Sequence, residues 1–123
     1  MWVYEQKTGK ISQDGHLIDI GYAGSGVGKN SPAMQSLKNI GPLPCGDYII
    51  GEPKEGSHMG HFALELIPAD TNEMWGRSGF FWHGDNGKGT ASNGCICSGR
   101  RSREAAYASD DRKLEVISGE VSA

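Results

Sequence analysis

The sequence contains no apolar run long enough to span a membrane, so we expect no transmembrane helix. Its first residues lack a basic segment followed by an apolar stretch and a small-residue cleavage site, which predicts synthesis without a classical signal peptide. Positive charge is scarce as well, because 12 Lys and Arg stand against 15 Asp and Glu. The only dense basic run is Arg100, Arg101 and Arg103. This charge balance argues against nucleic acid as the main partner.

Cysteine is also scarce, with three residues at Cys45, Cys95 and Cys97. This odd and uneven set does not supply the disulfide framework of a small secreted domain, so we expect free thiols. Apolar residues make up only 37% of the chain, whereas glycine contributes 19 residues. This composition favours short strands and ordered loops over a helix bundle. A chain of 123 residues can bury one adequate core, and we expect a single domain over residues 1–123.

β-branched and aromatic residues mark several short strands, separated by turns rich in Gly, Pro, Asn and Asp. The predicted strands lie within residues 2–11, which hold two, and at 16–22, 47–50, 62–67, 79–83 and 113–117. Alternation of Phe62, Leu64 and Leu66 indicates one buried face. Only residues 102–109 have helical composition, and 23–39 is predicted to be an ordered loop. The pattern predicts one mostly β domain with a single short helix.

A histidine and a cysteine in the second half of the chain have the sequence context of a catalytic pair. His83 ends an apolar strand, and Cys95 follows Gly94 after a loop of small residues. A free thiol is mostly protonated at neutral pH, so a thiolate nucleophile needs a base such as imidazole. The amides of Gly94 and Cys95 would then form an oxyanion hole. The structural alternative is a hydrogen-bonded core histidine and a buried cysteine that acts as a small apolar side chain.

His83-Gly84 followed by Ser92-Asn93-Gly94-Cys95-Ile96 resembles the signature of the L,D-transpeptidases of the YkuD type, which have a His-Gly pair, a loop and then Ser/Thr-His-Gly-Cys. Residues 40–48 are similar to a strand entry of that family. Asn93 replaces the second histidine of the motif, Cys97 replaces the usual arginine, and only twelve positions separate His83 from Cys95. The compact loop is more similar to the type VI secretion L,D-transpeptidase effectors.

The resemblance implies a mostly β fold of the L,D-transpeptidase type, an antiparallel β-sandwich or flattened barrel with one short helix after the catalytic cysteine. It implies an enzyme without cofactor or metal that removes the terminal D-Ala from peptidoglycan tetrapeptide stems, or exchanges it for another D-amino acid. Such effectors are made in the bacterial cytoplasm and act in the periplasm of a target cell after delivery by a secretion system. A cognate immunity protein is therefore an expected partner, and we expect the chain itself to be a monomer.

Site residues follow from the same resemblance, position by position. Cys95 would be the acylated nucleophile and His83 the base and acid. The oxyanion would lie on the backbone of three residues, Asn93, Gly94 and Cys95. Asp85 or Ser92 would orient the imidazole through its second nitrogen.

Four further side chains are candidates for substrate binding. Arg100 and Arg101 would clamp a carboxylate of the stem peptide by paired hydrogen bonds, although a solvated helix entrance explains them equally well. Trp82 and Tyr48 would line the cleft, although core packing also explains both aromatic residues. The choice between these roles depends on which side chains are buried.

Other functions fit the sequence less well. A lone Cys-x-Cys does not have the ligand spacing that is usual for zinc sites. The side chains of zinc-binding type are His58, His61, His83, Cys95 and Cys97. The glycine-rich loop at 23–39 has no Gly-Lys-Ser/Thr ending for a phosphate. A papain-like amidase has its cysteine before its histidine, the reverse of this order. The alternative from another class is a non-catalytic peptidoglycan-binding or phage-structural module, which has no need of a nucleophile beside a base.

Overall fold

The structure is a computed structural model that describes residues 1–56 and 60–119. The described part has two short 3₁₀ turns, at Gly26–Gly28 and Pro32–Met34, and one α-helix, α1 (Arg100–Ala108). Its strands are β1 (Trp2–Glu5), β2 (Lys10–Gln13), β3 (His16–Ile20), β4 (Gly46–Gly56), β5 (Gly60–Pro68), β6 (Phe81–His83), β7 (Ile96–Cys97) and β8 (Lys113–Ile117). None of the described helices is long and apolar enough to cross a membrane.

All of these strands belong to one sheet, in the order β3-β2-β1-β8-β4-β5-β6-β7. Most neighbours are antiparallel, but β1 pairs with β8 and β6 pairs with β7 in parallel. Just after β3, Tyr22 forms an antiparallel bridge with Cys97 of β7, with N···O distances of 3.0 and 2.8 Å. This bridge joins the two outer strands of the sheet, so the sheet closes into a flattened barrel.

Alternating side chains from the strands fill the inside of this barrel. In β1 the buried Trp2 and Tyr4 alternate with half-buried residues, and Leu114 and Val116 do the same in β8. Trp2 packs edge-on against Trp82 of β6, with ring centroids 5.8 Å apart. Apolar burial of this kind is the main force that holds such a domain together. The core therefore anchors the inner face of β6, which is the strand that ends in His83.

The expected mostly β fold with one short helix after Cys95 is confirmed. The sheet is mixed, so the expected antiparallel arrangement holds for most strand pairs but not for β1–β8 and β6–β7. The helix begins at Arg100, two residues before the predicted start, with Gly99 as its extended N-cap residue. Ser102, the predicted cap, instead donates its hydroxyl to Asp19 Oδ2 at 2.8 Å.

Candidate active site

The parallel pairing of β6 with β7 places a histidine beside a cysteine. Trp82 lies opposite Ile96, and both side chains are buried in the core. Because side chains alternate along a strand, the next pair, His83 and Cys97, lies on the other face of the sheet. Cys97 Sγ is 3.5 Å from His83 Nδ1 and 4.0 Å from Nε2. The thiol that contacts the imidazole in this structure is therefore that of Cys97.

A backbone carbonyl orients the His83 ring. Its Nδ1 atom lies 2.8 Å from the carbonyl oxygen of Gly84. A carbonyl oxygen only accepts hydrogen bonds, so the neutral imidazole carries its proton on Nδ1 and keeps the lone pair on Nε2. This tautomer leaves Nε2 as the atom that can take a proton from a nucleophile.

Two side chains, Asp85 and Ser92, were expected to orient the imidazole. In the structure both form hydrogen bonds to other groups. Asp85 accepts a hydrogen bond from the Tyr22 hydroxyl at 2.5 Å and from the Gly89 amide at 3.1 Å. The Tyr22 hydroxyl holds the pKa of Asp85 below its usual range, so this carboxylate is charged. Ser92 lies in the turn before Cys95 and is not hydrogen-bonded to the His83 ring among the described residues. The Gly84 carbonyl occupies the place that both were predicted to fill.

Cys95 lies where the chain enters β7. Its Sγ accepts a hydrogen bond from the Phe81 amide at 3.4 Å and lies 4.0 Å from the Gly79 carbonyl oxygen. The residue is half-buried and borders a cavity of about 250 Å³ whose wall includes Arg77. Within residues 1–56 and 60–119 no hydrogen bond joins Cys95 to the His83 ring. The structure thus brings the two predicted partners to one region without direct contact.

The two neighbouring thiols differ in their electrostatic setting. Burial raises the pKa of Cys97 to about 12, so its thiol stays protonated. Burial also raises the pKa of Cys95, but the Phe81 amide and the Arg77 charge act in the opposite direction. Cys95 is therefore the thiol whose surroundings better support a thiolate, and it still needs a base.

The Ser92 hydroxyl holds the turn that precedes Cys95. Its Oγ donates to the Cys95 carbonyl at 2.6 Å and accepts from the amides of Gly94 and Gly24, each at 3.0 Å. The Gly94 amide, one of the predicted oxyanion donors, is therefore engaged by Ser92. No backbone carbonyl of the described residues accepts a hydrogen bond from the amide of Asn93 or of Cys95, so neither amide is committed to another part of the backbone.

The residue at the centre of this turn has to be glycine. Gly94 has a φ of 141°, in the region that side chains other than glycine rarely adopt. A Cβ at this position would lie 2.6 Å from Arg77 Nη2 and 2.9 Å from Phe80 Cε1. Both distances are too short for any side chain. Glycine here lets the arginine pack directly against the turn.

Arg77, which no motif in the sequence marks as functional, supports this turn by a hydrogen bond to the Asn93 carbonyl. It is 5% exposed, and its guanidinium donates to four carbonyl oxygens at 2.5 to 3.4 Å, those of Gln35, Gly41, Pro42 and Asn93. No carboxylate of the described residues lies within 4.0 Å of it. Its charge therefore acts on the nearby Cys95 thiol. Between Gly76 and Ser78 it has the sequence context of an exposed loop residue, so no local signal marks it.

The two arginines expected to bind substrate both line a cavity next to Ile18, but only Arg100 also reaches the cavity that contains His83. Arg100 lines this cavity of about 400 Å³ together with His83 and Arg103. Arg101, the next residue of α1, lines the cavity next to Ile18. Arg100 and Arg103, rather than Arg100 and Arg101, are therefore the pair that shares a space with the imidazole.

The two aromatic candidates for the cleft are in the core. Trp82 is fully buried and donates its Nε1–H to Ser98 Oγ at 2.7 Å. Tyr48 is 1% exposed, and its hydroxyl donates to the Pro44 carbonyl at 2.7 Å. Both residues therefore pack in the core, which is the alternative to a cleft role that the sequence allowed.

No group of metal ligands is present in the described part of the chain, where no three His, Cys, Asp or Glu side chains come together to hold an ion. His61, one of the zinc candidates, has its Nδ1 2.7 Å from Glu55 Oε2 at the surface. His58 lies outside the described residues.

The barrel and the side chains at its β6–β7 edge define a small, mostly β domain with a thiol and imidazole site. A family model is more specific, because that of the Tlde1 domain matches residues 19–118. The chain therefore belongs to the Tlde1 domain family, a family of type VI secretion L,D-transpeptidase effectors. No curated protein matches it.

Membership confirms, at the level of the family, the resemblance drawn from His83-Gly84 and from residues 92–96. It indicates a type VI secretion effector with peptidoglycan-related activity. It also fits delivery by secretion and action on a target cell. The matched region contains every side chain of the site described above.

Proposed function

We propose that the chain is a cysteine acyltransferase that cuts the bond between diaminopimelate and the terminal D-Ala of peptidoglycan tetrapeptide stems. It would act as an L,D-carboxypeptidase, exchange the D-Ala for another D-amino acid, or do both. The observation that carries this proposal is the setting of Cys95, a half-buried thiol beside a cavity and the Arg77 charge, in a turn where two amides bond to no backbone carbonyl of the described residues. Family membership supports peptidoglycan as the substrate polymer.

In the first half-reaction Cys95 Sγ attacks the carbonyl carbon of the scissile peptide bond. The thiol proton passes to His83 Nε2, and negative charge develops on the carbonyl oxygen, which accepts hydrogen bonds from the amides of Asn93 and Cys95. The tetrahedral intermediate collapses when the bond to the D-Ala nitrogen breaks and His83 returns the proton to that nitrogen. D-Ala leaves, and the stem stays on Cys95 as a thioester.

In the second half-reaction a water molecule or the amine of a D-amino acid attacks the thioester carbonyl. His83 takes a proton from the attacking atom, the C–S bond breaks, and His83 returns that proton to the leaving sulfur, which restores the Cys95 thiol. Water yields a tripeptide stem, whereas a D-amino acid yields a tetrapeptide stem with a new terminal residue. The balance between hydrolysis and exchange depends on which nucleophile is held near His83.

For this chemistry the imidazole has to serve Cys95, although its ring contacts Cys97 here. The amide that contacts Cys95 Sγ belongs to Phe81, only two residues before His83 on β6. A single water molecule between His83 Nε2 and Cys95 Sγ would complete the proton path while Nδ1 stays on the Gly84 carbonyl, and catalytic hydrogen bonds often tighten only when substrate is bound. In the substrate-free enzyme the thiol beside the His83 ring is then that of Cys97.

The wider setting follows from the same proposal. The enzyme would be delivered by a type VI secretion system into the periplasm of a target cell, and the producing cells would carry an immunity protein. Of the arginines considered for substrate binding, Arg100 is the one proposed to meet a stem carboxylate, because it borders the same cavity as His83.

Product analysis tests the proposed reaction. Purified protein is incubated with disaccharide tetrapeptide, with and without D-methionine, and the products are identified by mass spectrometry. We expect loss of D-Ala, or its replacement by D-Met, with the wild type and with Cys97→Ala, but not with Cys95→Ala. No product from any protein, together with equal muropeptide affinity of wild type and Cys95→Ala, would instead favour a non-catalytic peptidoglycan-binding module.

A further inference from the structure

Two arginines border the cavity of about 400 Å³ beside His83, and one of them is buried. Arg103, in the first turn of α1, is 6% exposed, whereas the Arg100 side chain is 55% exposed. Burying a guanidinium is costly unless its charge and its N–H groups find partners. The partners of Arg103 therefore indicate what this cavity is built to receive.

The hydrogen-bonding capacity of Arg103 is only partly used. Its Nη1 donates to the carbonyl oxygens of His61 and Phe62, at 2.8 and 2.9 Å, which ties α1 to β5. Its Nε is buried and has no hydrogen-bond partner among the residues that the structure describes. No carboxylate of residues 1–56 or 60–119 lies within 4.0 Å of the guanidinium. An unpaired donor on a buried cation is the feature that an incoming anion would satisfy.

The backbone next to His83 leaves room for this side chain. A Cβ on Gly84 would lie 2.8 Å from Arg103 Nη2, so only glycine lets the guanidinium come this close to the chain as it leaves β6. The Nη2 atom makes no hydrogen bond to the described residues. His83, Gly84 and Arg103 thus form one continuous wall of the cavity.

Two guanidinium groups, those of Arg100 and Arg103, line the cavity together with one carboxylate, that of Asp85. This carboxylate is engaged by the Tyr22 hydroxyl and the Gly89 amide. Arg100 forms an ion pair with Glu104 at 3.5 Å on the exposed surface, and such pairs contribute little. The His61 ring and, more weakly, the charge of Arg100 lower the pKa of Glu55, so this carboxylate lies near Arg100 as well. The buried Arg103 guanidinium, with no carboxylate of residues 1–56 or 60–119 within 4.0 Å, is therefore the charge on this wall that an incoming anion would meet.

We propose that this cavity is a carboxylate-binding subsite, in which Arg103 donates from Nη2 and Nε to one carboxylate of the stem peptide and Arg100 attracts that group at the rim. The inference rests on the proposed function, because the stem is the substrate proposed above. In this subsite Arg103 selects substrates that carry the bound carboxylate. A tetrapeptide stem offers three carboxylates, on the terminal D-Ala, on the side chain of diaminopimelate and on the γ-linked D-Glu.

Binding to the Cys95→Ala protein tests the subsite without any turnover. Isothermal titration calorimetry compares the disaccharide tetrapeptide with three analogues, each with one of its carboxylates converted to a primary amide. We expect one analogue to bind about 10- to 100-fold more weakly, as loss of a charge-assisted hydrogen bond implies, and this analogue identifies the bound carboxylate. Equal affinity for all four peptides, or no binding of any, would overturn the subsite.

Variants of Arg103 and of Arg101, which lies two positions earlier in α1, give the matched comparison. In the Cys95→Ala background we expect Arg103→Gln to weaken tetrapeptide binding by about the same factor as the sensitive amide, Arg103→Lys to weaken it less, and Arg101→Gln to leave it unchanged. The sensitive amide analogue should bind all of these proteins equally. An equal loss with Arg101→Gln, or an amide effect that persists in Arg103→Gln, would contradict the assignment to Arg103.

Two controls separate the subsite from protein stability and from the proposed reaction. Because Arg103 ties α1 to β5, thermal unfolding checks each variant, and the amide series on unaltered Arg103 stands alone if a variant does not fold. Turnover of all four peptides by the wild type with equal kcat/KM would remove the subsite and leave the proposed function intact. Carboxylate-dependent binding without turnover by the wild type would support the subsite and contradict the proposed reaction.

Discussion

Replacing Arg77 with methionine should destabilise the barrel and weaken the Cys95 thiolate together. Methionine keeps much of the apolar volume of the side chain but removes its charge and all of its N–H donors. The carbonyl oxygens of Gly41 and Pro42, which accept at 2.9 and 2.8 Å, are buried and would lose their donor. An unsatisfied buried acceptor costs roughly 1–3 kcal/mol, so we expect a loss of about 3 kcal/mol in the free energy of unfolding.

Thermal unfolding measures the first part of this prediction. A loss of about 3 kcal/mol corresponds to a fall of roughly 10 °C in Tm for a domain of this size. Arg77→Lys is the matched control, since it keeps the positive charge but has three donors in place of five. Its Tm should lie between those of the wild type and Arg77→Met.

The rate of iodoacetamide alkylation as a function of pH measures the second part. The Arg77 charge favours the thiolate, so its removal should raise the pKa of Cys95 and move the rise in alkylation rate to higher pH. Arg77→Lys should move it less. An Arg77→Met protein with a Tm within about 2 °C of the wild type and an unchanged alkylation profile would refute the reasoning.

Three further outcomes are expected. Gly94→Ala should lose more than about 1 kcal/mol of stability in urea unfolding and most of its turnover, since its φ is 141° and Arg77 blocks a Cβ; near-normal behaviour would mean that the turn adapts. Cys97, whose pKa is raised to about 12, should resist iodoacetamide at pH 8 while Cys95 reacts, as fragmentation of the peptide that contains both would show; preferential labelling of Cys97 would contradict this. Asp85→Asn should leave the pH profile of turnover unchanged, because the Gly84 carbonyl orients His83, and a shifted profile would restore Asp85 to that role.

Much of the barrel could be predicted because its strands carry local patterns. Leu64 and Leu66 are buried on either side of the half-buried Glu65, as the alternation in the sequence indicates. The alternation does not extend to Phe62, which is half-buried, while Ala63 is buried. The strand β7 carries no such signal, since two residues show no period. It is a strand because it pairs with β6 on one side and with Tyr22 on the other, and neither contact is visible in the local sequence.

The candidate pair could be predicted from residue type and order, but not its contacts. The register of β6 and β7 decides that the His83 ring meets Cys97, and register depends on the packing of Trp82 against the core. Arg77 and Arg103 escaped prediction for a related reason. Their partners are distant in the chain, as when Arg77 Nη1 donates to a carbonyl 42 positions away, so both resemble ordinary surface arginines in sequence.

Trapping the acyl-enzyme tests most directly whether Cys95 is the nucleophile. Wild type, Cys95→Ala and Cys97→Ala are mixed with disaccharide tetrapeptide and quenched in acid, and the intact mass and the fragmented peptide that contains both cysteines locate the adduct. We predict a thioester of the shortened stem on Cys95 in the wild type and in Cys97→Ala, and none in Cys95→Ala. An adduct on Cys97, or undiminished turnover by Cys95→Ala, would contradict the central claim.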